Sequence, residues 1–318
     1  MRRSSQPPED DAYGGLCHTG CVNTPLQNLL DILDLEQIED DIFRGVSPDD
    51  PRQRVFGGQV AGQSMVAAGR TVPFGRQVHS LHAYFIRPGD PLVPIVYTVE
   101  RVRDGRSFST RRVVAVQHGK AIFTLSASFQ VPEQGPEHTV GMPAAPDPES
   151  VVPTRDRFAA LFGEKVADEY EKRSPFDLRH VTPLTYEAVG KPELASRETL
   201  VWLKTNDKLP DDPLLHVCLM TYASDMTLFD TVLLNHGLAW GDARTIGASL
   251  DHAMWFHSPF RADEWLLYAQ ETPAAGGARG LARGQVFTRS GELVVSVVQE
   301  GLIRVSGDRS LVRPPLDA

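Results

Sequence analysis

Four stretches in the first half of the chain, Val78–Ile86, Leu92–Asp104, Ser107–Gln117 and Lys120–Gln130, alternate apolar with polar positions or are rich in β-branched residues. A period of two predicts strands with one buried face. The polar breaks "RDGR" (103–106) and "QHGK" (117–120) separate successive runs as hairpin turns. Upstream, Gly57–Val72 carries small and apolar residues at helical spacing, with Val60, Ser64, Ala67 and Ala68 near one face. The spacing predicts a helix whose Gly and Ala permit close approach of a neighbouring backbone. Asn28–Gly45 predicts a short amphipathic helix passing into a strand. From Pro132 to about Pro175 the pattern lapses into Pro- and Gly-rich sequence and then a charged helical stretch, "RDRFAALFGEKVADEYEKR", which together read as a linker.

The pattern then returns. "DLRHVTP" (177–183) echoes "IFRGVSP" (42–48), "SLDHAMWFHSP" (249–259) echoes "HSLHAYFIRP" (79–88), and "SGELVVSVVQEG" (290–301) echoes "HGKAIFTLSASFQ" (118–130). Asp225 and Gln59, Pro259 and Pro88, and Gly291 and Gly119 lie 166, 171 and 172 residues apart, a steady offset of about one domain length. Each copy reads as strand, buried helix, then several antiparallel strands. Such a run implies an α+β domain with a curled sheet around one central helix, and two copies could join their sheets side by side. The expected organisation is an N-terminal tail (1–25), a first repeat (26–135), a linker with a charged helix (136–173), a second repeat carrying the reactive residues (174–308) and a C-terminal tail (309–318).

Composition narrows the function. The chain has 318 residues, enough for one large domain or two smaller ones, and a formal charge of −9, which argues against general nucleic-acid binding. Three cysteines, Cys17, Cys21 and Cys218, are too few and too odd for a disulfide framework and point to a reducing, cytoplasmic setting. "CHTGC" (17–21) lacks the second Cys/His pair a metal site needs, so no metal and no cofactor is expected. No run reads as long and apolar enough to span a bilayer, and no membrane insertion is expected.

The second repeat holds the most pointed feature. In "LMTYASDMTLFDTVLLNHG" (219–237), Asp225 stands where a small-residue turn meets an apolar segment. Read locally, Asp225 is the N-cap of a buried helix that follows it, or a catalytic carboxylate in the same environment. The first repeat has Gln59 in the corresponding place, and roughly Ala127 where the second has Gln299. An acid required only by the fold would be expected in both copies.

The motifs "FRGVSP", "RVFGGQVAGQSMVAA", "VHSLHAYFIRPGDP", "VERVRDGRSFSTRRVVAVQHGKAIFTLSASFQ", "YASDMT", "SLDHAMWFHSPF", "EWLLYAQE" and "SVVQEGLIR" occur in one order from about Asn28 to Arg304. In that order they resemble the acyl-CoA thioesterase II family. The resemblance implies a double hotdog fold and hydrolysis of fatty acyl-CoA to free acid and CoA. It places the catalytic set on Asp225, Ser249 and Gln299, with Asp225 directing a water that Ser249 and Gln299 help to hold. Many relatives have Thr at the second position; Ser249 keeps the hydroxyl and loses the methyl that restrains χ1. A helix start at Asp225 would favour the ionised carboxylate and supply backbone N–H groups to the thioester oxygen. The family pattern and open sheet edges imply a homodimer or homotetramer.

Gly58 and Gln59 at the start of the first helix are candidates for substrate contact, as are Arg106, Arg111 and Arg279 for the CoA phosphates, for which guanidinium is suited. Arg103, Arg112 and Arg283 belong to the same basic groups, whose other reading is a solvated face. Phe56, Tyr84, Phe229 and Trp255 are candidates to shape the acyl pocket. Asp251 and His252 are adjacent, so on a regular strand they face opposite sides and cannot share a site without a bulge. No G-x-S-x-G elbow occurs, and Cys218 has no evident His partner. Two other readings stay open: a non-catalytic acyl-CoA-binding or sensor protein, and a hotdog hydratase.

Overall fold

The computed structural model describes residues 23–48, 54–242 and 245–306. The expected tails lie almost wholly outside these residues. The first half contains α1 (Pro25–Leu33), β1 (Glu36–Glu39), β2 (Ile42–Gly45), α2 (Gly57–Arg70), β3 (Gln77–Phe85), β4 (Ile95–Asp104), β5 (Phe108–Gln117) and β6 (Lys120–Gln130). An extended segment follows, then α3 (Thr154–Phe162) and α4 (Glu164–Glu171), two helices where the sequence suggested one, divided at Gly163 with φ +88°. The second half contains β7 (Phe176–His180), α5 (Thr185–Ala188), β8 (Glu198–Thr205), α6 (Pro213–Thr227), α7 (Asp230–His236), β9 (Thr245–Ser249), β10 (Asp251–Phe256), β11 (Leu266–Gly276), β12 (Arg279–Thr288) and β13 (Leu293–Val305).

Every strand pair is antiparallel, and the strands form one open sheet in the order β1-β2-β4-β5-β6-β3-β10-β13-β12-β11-β8-β7, with β9 on β13. The halves join at the centre through β3 and β10, where Leu81 stands opposite Met254. Both of these side chains are fully buried, so the seam belongs to the core.

Two helices, α2 and α6, pack against each other and against this sheet. α2 lies antiparallel to α6, and glycines set the spacing. A Cβ on Gly58 would fall 2.4 Å from the Tyr222 carbonyl oxygen, and one on Gly62 3.3 Å from that of Cys218. The expected close approach is real, and the neighbour is α6. That helix starts where an Asp-Pro pair dictates: Asp212 accepts from the N–H groups of Leu214 and Leu215, and Pro213 opens the first turn. The combined segment Pro213–His236 does reach the length and hydropathy of a membrane span (mean hydropathy 1.3), contrary to the expectation from composition. Since 72% of its most apolar window is buried in the fold, its apolarity serves the core.

Candidate active site

The apolar segment after Asp225 is not one helix starting there. Asp225 lies in the last turn of α6, the helix breaks at 228–229, and the leucines at 233 and 234 belong to α7. Asp225 therefore does not cap its own helix, and no N-terminal dipole of that helix favours its charge. The N-terminus that faces it belongs to the other half. Gly57 and Gly58 open α2, whose N-cap residue Phe56 makes no side-chain cap. A Cβ on Gly57 would lie 2.6 Å from Asp225 Oδ2 and 2.7 Å from the ring of Phe85.

Asp225 Oδ1 accepts from Gln299 Nε2 at 2.6 Å and from the Ser249 hydroxyl at 3.1 Å. Gln299 arrives on β13 and is fully buried; Ser249 ends β9, opposite Gly301 of β13. The corner after Ser249 is fixed from both halves: Leu250 donates its N–H to Glu300 and accepts from the N–H of Phe85. Burial raises the Asp225 pKa from 3.8 to about 6, against hydrogen bonds from Gln299, Ser249 and the Gly58 N–H that favour the anion. The carboxylate is thus more basic than a helix start would have made it. Gln299 Oε1 is buried and has no partner among the described residues. Both side-chain donors converge on Oδ1, while Oδ2 faces Gly57 at the start of α2. Ser249 and Gln299 thus hold the carboxylate itself.

The other candidates separate. Gln59 is buried, and its amide donates to Val46 O at 3.2 Å and Ser47 Oγ at 3.0 Å, ties that occupy it within the first half. Arg111 is fully buried: its guanidinium donates to Thr71 Oγ1, Thr71 O and Asp104, so it cannot also serve a CoA phosphate. Strand parity carried the warning, since Arg111 shares a face with Val113 and Ala115. Arg106 is exposed on the β4–β5 turn, near the far end of α2 from Gly57, on the order of 20 Å away for a 14-residue helix. Arg279 is exposed and pairs with Glu300, the residue after Gln299, which leaves it near the site. Tyr84 is 63% exposed and Trp255 meets His82 edge-on, both on the outer face of the sheet, so neither shapes an interior pocket. Half-buried Phe56 packs on Tyr222, and Phe229 packs on Trp240 within the core. Asp251 and His252 part as strand parity required: Asp251 accepts from the Glu300 N–H at 2.6 Å, while His252 meets Ser224 at 2.8 Å. Cys218 is buried with its thiol pKa pushed up by burial. Two residues that the sequence reading missed are Gly57, against the carboxylate, and Phe85, against Gly57; the "GG" at 57–58 was the available signal.

Comparison with known proteins fits this geometry. Residues 176–302 match the family model described as acyl-CoA thioesterase, and residues 47–130 the one described as acyl-CoA thioesterase N-terminal domain. The chain is 40% identical to human acyl-coenzyme A thioesterase 8 over 95% of its own length and 97% of the relative's. The chain belongs to the acyl-CoA thioesterase II family. A bacterial relative, acyl-CoA thioesterase 2 of Haemophilus influenzae, is 40% identical over 88% of this chain and 98% of its own. The crystal structure of the acyl-CoA thioesterase II TesB2 from Mycobacterium marinum superposes with a TM-score of 0.71 at 45% identity, covering 88% of this chain and 99% of that one. In this thioesterase the two matched regions each supply one side of the site: α2 from the first, and Asp225, Ser249 and Gln299 from the second.

Proposed function

We propose that the protein hydrolyses fatty acyl-CoA to free fatty acid and CoA, with Asp225 as the general base. The observation that carries the reading is a buried carboxylate with a pKa raised to about 6, held by Gln299 and Ser249 and facing the start of α2. Near neutral pH such a group is largely ionised yet basic enough to take a proton from water. The water attacks the thioester carbonyl carbon as its proton passes to Asp225. Backbone N–H groups at the start of α2 are the nearest helix-end donors for the developing oxyanion. Collapse breaks the C–S bond and expels the thiolate, which recovers the proton held by Asp225. No acyl-enzyme forms. The separation of Asp251 from His252 counts against hydratase chemistry, which needs an acid paired with a histidine.

The setting is a cytoplasmic homo-oligomer in fatty acid metabolism, which sparse cysteines support. The edge strand β1 carries Glu36 and Glu39, charges that discourage edge pairing, so the outer sheet face around Tyr84 and Trp255 is the more suitable contact surface. The test is free-thiol release from short, medium and long acyl-CoAs by native protein and Asp225→Asn. The variant is expected to lose about 10³-fold in kcat. Ligand binding without turnover by native protein would identify a sensor, and full activity in the variant would remove Asp225 from the chemistry.

A further inference from the structure

A second set of polar side chains reaches the Asp225 turn from the sheet. Ser224, one residue earlier, is fully buried, and its Oγ lies 2.8 Å from His252 Nε2 and 3.0 Å from the carbonyl of Thr221. A hydroxyl has one proton to give. Given to Thr221, it leaves Oγ to accept an Nε2–H from His252, and Nδ1 becomes a lone pair. That nitrogen is buried without a partner among the described residues. A buried lone pair is tolerated better than a buried orphan N–H, which selects this tautomer. Burial also lowers the His252 pKa to about 4, so the ring is neutral near neutral pH.

Strand β11, separated from β10 by β13 and β12, adds two more ties. The Tyr268 hydroxyl donates to the carbonyl of Ser224 at 3.2 Å, in the turn where α6 ends. Gln270 donates to Thr227 Oγ1 at 2.6 Å and is itself fixed by the Thr199 hydroxyl at 2.9 Å. Tyr268 fits because Gly284 faces it; a Cβ there would lie 2.3 Å from the ring. These bonds hold the residues on both sides of Asp225 and leave its carboxylate to Ser249, Gln299 and α2. Apolar side chains of similar volume would fill the same space without fixing a direction.

We propose that His252 and Tyr268 are positioning residues that fix the Ser224 turn, and thereby the aim of the Asp225 carboxylate. The inference rests on Asp225 as the base. Its test is kcat and KM by thiol release, with thermal midpoints, for the full chain and for His252→Leu, His252→Gln, Tyr268→Phe and Asp225→Asn. His252→Leu is expected to lower kcat about 10- to 100-fold with KM unchanged, the scale of a misplaced reacting group. His252→Gln can place an N–H near the lost Nε2–H and recovers most of that loss. Tyr268→Phe lowers kcat several-fold with the same split, and carries the test if His252→Leu does not fold. Native kcat in His252→Leu or, should that variant not fold, in Tyr268→Phe would overturn the proposal. So would equal losses in the Leu and Gln variants that track only the folded fraction. Full activity in Asp225→Asn would overturn the base assignment instead, so the two failures are distinguishable.

Discussion

The two halves each bury a cluster of polar side chains against a central helix, and the clusters differ in how completely they are satisfied. In the first half, Gln63 donates to Ile32 O at 2.6 Å and Val46 O at 3.0 Å and accepts from Tyr97 at 2.5 Å, while Gln59 closes on Val46 and Ser47. Nothing in this group carries charge. In the second half, a carboxylate is desolvated until its pKa reaches about 6, and Gln299 Oε1 is left without a partner. A closed network rigidifies a fold; an open one with a costly charge fits a site where a reactant completes the bonding. Within these two clusters, the buried charge and the unpartnered Gln299 Oε1 mark the second-half one.

The sharpest way to break this comparison is to make the same substitution in both clusters. Gln299→Leu is expected to lower kcat about 100-fold, because Asp225 loses its shortest donor and its orientation. Gln63→Leu should leave kcat within about twofold but destabilise the fold by about 2–4 kcal/mol, since Tyr97 and Ile32 are left unpaired. Steady-state kinetics beside denaturant unfolding reads both, and the reverse pattern would dissolve the distinction. A smaller effect sharpens it: Ser249→Ala should cost about 10-fold in kcat, and Ser249→Thr should stay near native, because the hydroxyl donor at 3.1 Å is what counts.

A further effect is on stability. Because the folded-state pKa of Asp225 is raised from 3.8 to about 6, the unfolded chain ionises first as pH rises. Stability from this group is full below about pH 3.8, falls between there and about pH 6, and stays lower by up to about 3 kcal/mol above. Asp225→Asn should therefore raise the unfolding midpoint at pH 8 and not at pH 4, a gain that a lost helix cap could not give.

Much of the fold was legible because the first half follows simple periods. The strand Lys120–Gln130 and the helix opening at Gly57 begin where alternation and small-residue spacing put them. The meeting of Asp225, Ser249 and Gln299 came from motif order, since no local pattern brings residues 74 positions apart into contact. The position of Asp225 in its helix was misread. Attention to the apolar run after it hid the Asp212–Pro213 start before it, which by itself marks a helix reaching Asp225 from the N-terminal side. Arg111 was misassigned by chemistry when its parity with Val113 and Ala115 placed it inside. The contribution of α2 was invisible from either half alone, because it depends on two helices crossing at glycine distance.

The most direct test of the account is the pH dependence of kcat/KM for one well-turned-over acyl-CoA, measured on native protein and on the residual activity of Asp225→Asn. If Asp225 is the base, native kcat/KM falls on an acid limb with an apparent pKa near 6, and that limb is absent from the variant. A native profile that stays flat from pH 5 to 8, or an identical limb in Asp225→Asn, would contradict it.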